Sequence, residues 1–164
     1  MNNIRSNENT GSIFRTADAA GVSKIILAGY TPAPIDRFGR ENKGLAKASL
    51  GAEKFVKWEK VENLEKAIIN LRNHSVRSQN NFSDWKIIGI EQDEKAIDYR
   101  KIKNSKTKNI ALVFGNEVDG LSKEDTKLCD LIAEIPMHGK KESLNVAVAV
   151  GIVLYSLITD SVNY

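Results

Sequence analysis

Three short stretches carry the residues able to do chemistry. The first is NTGSIFRTADAAG (9–21), where Arg15 stands beside Phe14 in a run of small and apolar residues. Ile13, Phe14, Ala17 and Ala20 recur at helical spacing, with Asn9 or Thr10 as the expected cap and Gly21 as the expected end. The guanidinium therefore sits close to an inward-packing stripe. Taken as helix alone, its simplest partner is Asp18, one turn away on a solvated face. The second stretch is LVFGNEVDGLS (112–122), a buried strand ending in Gly115 and followed by Gly120 before a helix cap. Its G-x-x-x-x-G spacing is that of a P-loop, but Leu121 and Ser122 stand where a P-loop needs Lys and then Ser or Thr. Glu117 and Asp119 lie inside the loop and would repel phosphate, so a neutral or cationic ligand suits it better. The same residues also read as an ordinary β–α turn whose glycines supply positive φ. The third stretch is IPMHGKKESLNVAVAV (135–150): a strand end, a loop with His138, Lys140 and Lys141, then Ser143-Leu144-Asn145 opening an apolar helix. By itself it reads as Ser143 capping the helix, with Asn145 a polar residue of its first turn.

Composition narrows the chemistry. His74 and His138 are the two histidines and Cys129 is the single cysteine. No disulfide within the chain is possible, and zinc sites and cysteine–histidine nucleophiles find no support. One thiol suits a reducing compartment. At 164 residues, 41% hydrophobic and 27% charged, the chain reads as one ordinary globular domain over 1–164. A net charge of +3 and an isoelectric point of about 8.9 permit a polyanionic partner without demanding one. MNNIRSNENTG has no apolar signal core, and VAVAVGIVLYSLI is too short to span a bilayer. The expectation is a cytoplasmic protein with no membrane partner. The sequon at 81–83 carries no meaning without secretion.

The elements that must position these stretches alternate. Strands are expected at 24–29, 54–61, 85–91, 109–115 and 131–137. Helices are expected at 9–21, 63–74, 122–131 and 143–160, the last apolar enough to be buried on most sides. A polar loop is expected at 75–84. This alternation predicts an α/β fold with a mainly parallel sheet flanked by helices. Residues 30–53 read as a basic surface excursion, either solvated or gripping phosphates.

In order and spacing the three stretches resemble the motifs of the SpoU (TrmH-like) branch of the SPOUT RNA methyltransferases. Asn9, Gly11, Arg15 and Thr16 match the first. Phe114, Gly115, Glu117, Gly120 and Leu121 match the second. Ile135, Pro136, Met137, Ser143, Leu144 and Asn145 match the third. The resemblance covers essentially the whole chain. It implies a C-terminal trefoil knot, a homodimer, S-adenosylmethionine as cofactor, and methylation of a ribose 2′-hydroxyl in tRNA or rRNA. No metal is implied.

The resemblance also assigns residues. The cofactor would lie against Gly89, Ile90 and Glu91, against Phe114, Gly115, Asn116 and Gly120, and against Ile135, Met137, Ser143 and Leu144. Arg15 would be the catalytic residue, with Asn9 and Glu117 orienting it and Asn145 closing the site. The family casts this arginine as a general base helped by an RNA phosphate; because a neutral guanidine is costly to make, the physically favoured role is to hold a phosphate and stabilise the developing alkoxide. No separate RNA-binding domain is expected, so RNA capture would fall to Arg5, Arg37, Arg40, Lys43, Lys140 and Lys141. Two other readings compete. One is an RNA-binding or assembly factor that keeps the fold without catalysis, against which the intact Arg15, Glu117 and Asn145 argue. The other is an unrelated nucleotide-binding enzyme, which lacks its phosphate-binding motifs. The strand usual before the first motif has room only in MNNIRSNE.

Overall fold

The computed structural model describes residues 1–77, 85–104 and 109–158, and the side chains of 74–77 and 103–104 fall outside the description. The sequon and most of the polar loop lie outside the described residues. All strand pairings are parallel. Strands β1 (Ile25–Ala28) and β2 (Trp58–Val61) form one ladder. β3 (Trp85–Ile90), β4 (Ile97–Asp98), β5 (Asn109–Phe114) and β6 (Leu131–Glu134) form another, in the order β4-β6-β3-β5. Residues 1–4 join the two. Asn2 bridges Ala28 on one side and donates its N–H to Phe114 O at 2.8 Å on the other. This is the short strand that the first motif requires, reduced to a single bridge.

The sheet is covered on both faces, which is why its strands read as nearly continuous apolar runs. Neighbouring residues of β3 point to opposite sides. Ile88 packs with Ile13 of α1 (Asn7–Ala19) and with Val146, Val150 and Val153 of α5 (Val146–Ile158). Ile87 packs with Leu64 and Ile68 of α3 (Leu64–Arg77) and with Leu121, which precedes α4 (Lys123–Leu128). A third cluster joins Phe14 and Ala17 of α1 to β1 and to Leu45 of α2 (Lys43–Ser49).

Several boundaries differ from expectation. Ser6, not Asn9 or Thr10, caps α1: its extended backbone lets the hydroxyl accept from Asn9 N–H at 3.0 Å. Helix α3 runs on to Arg77. Residue 54 closes a 3-10 turn, so the second strand begins only at Trp58. The last helix starts at Val146, capped by Asn145 rather than Ser143: the Asn145 side-chain oxygen Oδ1 accepts from Ala147 N–H at 2.9 Å. Within one chain only Val146, Val150 and Val153 of α5 are buried, while Val148 is 51% exposed. Its apolar character therefore exceeds what the chain covers. Besides the 3-10 turns at Ala52–Lys54 and Tyr99–Asn104, two elements were not foreseen. β4 is only two residues long, and α2 hides in the basic excursion because only Leu45 and Ser49 turn inward.

Gly11 explains how α2 is seated. A Cβ there would lie 2.6 Å from both the Ala48 Cβ and the Leu45 carbonyl oxygen. The first motif's glycine thus lets α1 and α2 approach closely; it is a packing residue.

Candidate functional site

The carboxyl ends of β1, β3, β5 and β6 share one edge of the sheet, the side on which open α/β sheets bind ligands. After β5 the chain turns through 115–121. Asn116 and Gly120 exchange backbone hydrogen bonds of 3.1 and 3.0 Å, closing the loop on itself. A Cβ on Gly115 would fall 2.3 Å from the Gly120 carbonyl carbon, and one on Gly120 would fall 2.1 Å from a Glu91 oxygen. No larger residue fits either position. The Glu91 carboxylate accepts from Leu121 N–H at 2.7 Å, so the end of β3 is tied to the end of this loop.

Glu117 projects from the loop onto the start of α1. Its carboxylate accepts from Arg5 N–H at 2.8 Å, Ser6 N–H at 3.1 Å and the Asn9 amide at 2.9 Å. Partial burial pushes the Glu117 carboxyl up, but the Asn9 side chain and the Arg5 and Ser6 N–H groups outweigh it. The group is held below its usual range. Asn9 in turn accepts from the Asn145 amide at 3.0 Å, and Asn145 caps α5. One chain of hydrogen bonds, Glu117–Asn9–Asn145, therefore links all three stretches. Because Asn145 spends its oxygen on the cap, its amide must donate. That fixes Asn9 as acceptor through its oxygen and donor to Glu117 through its nitrogen.

Beside this chain lies a cavity of about 210 Å³. Of the residues expected against the cofactor, Ile90, Glu91, Phe114, Gly115, Asn116, Gly120, Ile135, Met137, Ser143 and Leu144 line it. Gly89 does not. It is buried beneath Ile132, Cys129 and Leu121, where a Cβ would meet the Ile132 side chain at 2.8 Å. Gln92, Val118, Val146 and Ala149 also line the cavity and were not named from sequence, and Asp119, read there as an acidic loop residue, joins them. Val146 and Ala149 were findable, since they follow Asn145 by one and four residues on the same helix. No lysine or arginine lines the cavity, whereas Glu91, Glu117 and Asp119 do. Among the described residues, the peptide groups of Met137 and Leu144 form no hydrogen bond, leaving them to bond a ligand.

Arg15 stands apart from this network. It is exposed on α1, and among the described residues it makes no ion pair or hydrogen bond, with Asp18, Asn9 or Glu117. Asn9 and Glu117 thus fix the loops around the site, and the structure does not bring either into contact with Arg15. Arg5, Arg37, Arg40, Lys43, Lys140 and Lys141 are all exposed. Arg37 and Arg40 lie over the Phe38 ring at 4.7 and 5.1 Å, and Asp36 holds Arg40 at 2.7 Å. Among the described residues no group of three His, Cys, Asp or Glu side chains could hold a metal ion, and no helix is long and apolar enough to cross a membrane.

This arrangement of a parallel sheet, a glycine-closed loop and three joined motifs defines a class. The chain belongs to the SpoU rRNA Methylase family, whose model matches residues 1–155. Among particular relatives, it is 34% identical over 157 residues to a protein of Staphylococcus haemolyticus (strain JCSC1435) assigned by name to the TrmH family of tRNA/rRNA methyltransferases. That match covers 96% of this chain and 56% of the relative. It is 31% identical over 153 residues to the tRNA (guanosine(18)-2′-O)-methyltransferase of Aquifex aeolicus (strain VF5), covering 93% of this chain and 64% of that one. The crystal structure of an AdoMet-bound rRNA methyltransferase from Sinorhizobium meliloti superposes with a TM-score of 0.76 at 29% identity. It covers 98% of this chain and 54% of that chain. The chain therefore spans roughly half to two thirds of the length of these relatives.

Proposed function

We propose that this chain is an S-adenosylmethionine-dependent RNA methyltransferase that acts on a ribose 2′-hydroxyl of tRNA or rRNA. The observation that carries the reading is the Glu117–Asn9–Asn145 chain beside a cavity lined by the residues expected against the cofactor. When bound, the cofactor supplies an electrophilic methyl group on a sulfonium. The residues present fit it. The carboxylates of Glu91, Glu117 and Asp119 suit its positive charge, and the unbonded peptide groups of Met137 and Leu144 suit the edge of its adenine.

Arg15 takes the catalytic role. As a permanent cation it holds a phosphate of the RNA bidentately and stabilises the 2′-oxygen as negative charge develops there. Among the described residues its side chain has no hydrogen-bond or ion-pair partner, which leaves its donors for RNA. Arg5, Arg37, Arg40, Lys43, Lys140 and Lys141 supply phosphate contacts, which give affinity without sequence choice. In this reading residues 1–164 form one domain that works in the cytoplasm, and its C-terminal third is threaded as a trefoil knot. The strand order β4-β6-β3-β5, which folds the second and third motifs around one cavity, supports the knot. The uncovered apolar side of α5 supports a homodimer.

The test is methyl transfer from labelled S-adenosylmethionine to total RNA of cells lacking the protein, beside an Arg15→Ala control. Label recovered as 2′-O-methylnucleoside and lost with Arg15 is the expected result. Label on a base overturns the ribose assignment. Cofactor binding without transfer to any RNA overturns catalysis and leaves the RNA-binding reading.

A further inference from the structure

Tyr30 follows β1 at the edge of the sheet that carries the site, and its ring is 59% exposed. An exposed aromatic is ordinary; one braced from every side is not. Lys60 Nζ donates to Gly29 O at 2.6 Å and to Thr31 O, the two carbonyls flanking Tyr30. The Tyr30 N–H donates to Asn3 Oδ1 at 3.2 Å. The Thr31 hydroxyl donates to Ala28 O at 2.8 Å and accepts from Ile4 N–H at 3.1 Å. At the far end of the ring, the Tyr30 hydroxyl accepts from the Asn116 amide, which also donates to Asn3 O at 3.1 Å. The Asn116 side-chain oxygen Oδ1 accepts from Val118 N–H at 2.7 Å and Asp119 N–H at 3.1 Å. The ring is therefore held at its backbone end by Asn3 and Lys60 and at its hydroxyl by Asn116 of the loop that carries Glu117 and lines the cavity, while much of it faces solvent.

A rigid exposed ring bonded to a loop that lines the cavity has little rotamer freedom left to lose on binding. It offers a π-face that any base can use. Bases within an A-form duplex are already stacked, whereas unpaired bases in loops and bulges are free to stack on an aromatic side chain. We propose that the Tyr30 ring is the stacking platform for an unpaired nucleobase of the RNA. The proposal rests on the RNA methyltransferase reading above and narrows it.

The experiment compares Tyr30→Phe with Tyr30→Leu. Both lose the hydroxyl contact with Asn116, so the difference between them isolates the ring. Binding is measured by 2-aminopurine fluorescence with a stem–loop carrying the fluorophore in its loop, and by anisotropy with a duplex of the same stem. Tyr30→Phe is expected to keep the fluorescence change on binding. Tyr30→Leu should bind the stem–loop about tenfold more weakly than Tyr30→Phe, with equal affinity for duplex. Equal stem–loop binding by the two variants, or an equal loss on duplex, overturns the platform. If the unmodified chain binds neither RNA, the proposal falls. Calorimetry of S-adenosylmethionine binding on the same sample then shows whether the cofactor reading survives without it.

Discussion

Replacing Glu117 by Gln tests whether charge at one carboxylate holds the three motifs together. The carboxylate accepts three hydrogen bonds, two through Oε1 from Ser6 N–H and the Asn9 amide, and one through Oε2 from Arg5 N–H. A glutamine has one oxygen. Placed to serve Ser6 and Asn9, it turns its own NH2 against the Arg5 N–H; flipped, it opposes two donors instead. Asn9 cannot rotate to help, because its oxygen is already taken by Asn145. At least one hydrogen bond to a charged acceptor becomes a donor–donor contact, a loss of about 1.5–3 kcal/mol. Water reaches the half-exposed site, so the lower figure, about 1.5 kcal/mol, is the expected destabilisation at neutral pH. The sign of the pH dependence follows from the lowered Glu117 pKa. The folded value lies below the ordinary 4.5, so the charge contributes its stability above that value and loses it as pH falls through the folded one. Urea unfolding of Glu117→Gln and the unmodified chain should therefore show a gap near neutral pH that closes in acid. A gap under about 0.5 kcal/mol, or one that does not change with pH, would refute the argument.

Other consequences follow from the same geometry. Gly115→Ala places a Cβ 2.3 Å from the Gly120 carbonyl, and the loop can relieve it only by opening the Asn116–Gly120 pair. Calorimetry should show S-adenosylmethionine affinity reduced by more than about tenfold, with a stability loss of about 1–3 kcal/mol. Removing one phosphate contact by Arg37→Ala or Lys43→Ala should weaken RNA binding on all sequences and flatten the slope of log affinity against log salt by about 0.7–1. An unchanged slope would move that residue out of the interface. Val148→Glu puts a charge on the uncovered side of α5, near a helix start that tolerates it. If the proposed dimer forms through this face, sedimentation should give a dimer for the unmodified chain and a folded monomer for the variant.

The sequence by itself determined the α/β fold class and named most of the residues that line the cavity. Period-two and period-3.6 apolar patterns are local properties, so the principal strands and helices could be read directly, and the glycine-marked loop after β5 announced its own tightness. The relay partners Asn9, Glu117 and Asn145 were legible as motif members, but not their bonding. They lie 108 and 136 residues apart in sequence and meet at 2.9 and 3.0 Å. Which atom donates was decided only when Asn145 was committed to capping α5. Helix α2 escaped notice because its inward face is two residues wide, and its seat depends on the missing side chain of Gly11 in another helix. Gly89 looked like a cofactor contact because it ends a strand, yet the packing of β6 and Leu121 over it puts it in the core. Tyr30 carried no signal at all. An aromatic in a proline-rich loop has no periodicity, and only the fold sets Lys60, Asn3 and Asn116 around it. Local chemistry is written in residue types and spacing. The direction of a hydrogen bond, the closeness of two backbones and the fixing of an exposed ring depend on partners that sequence distance conceals.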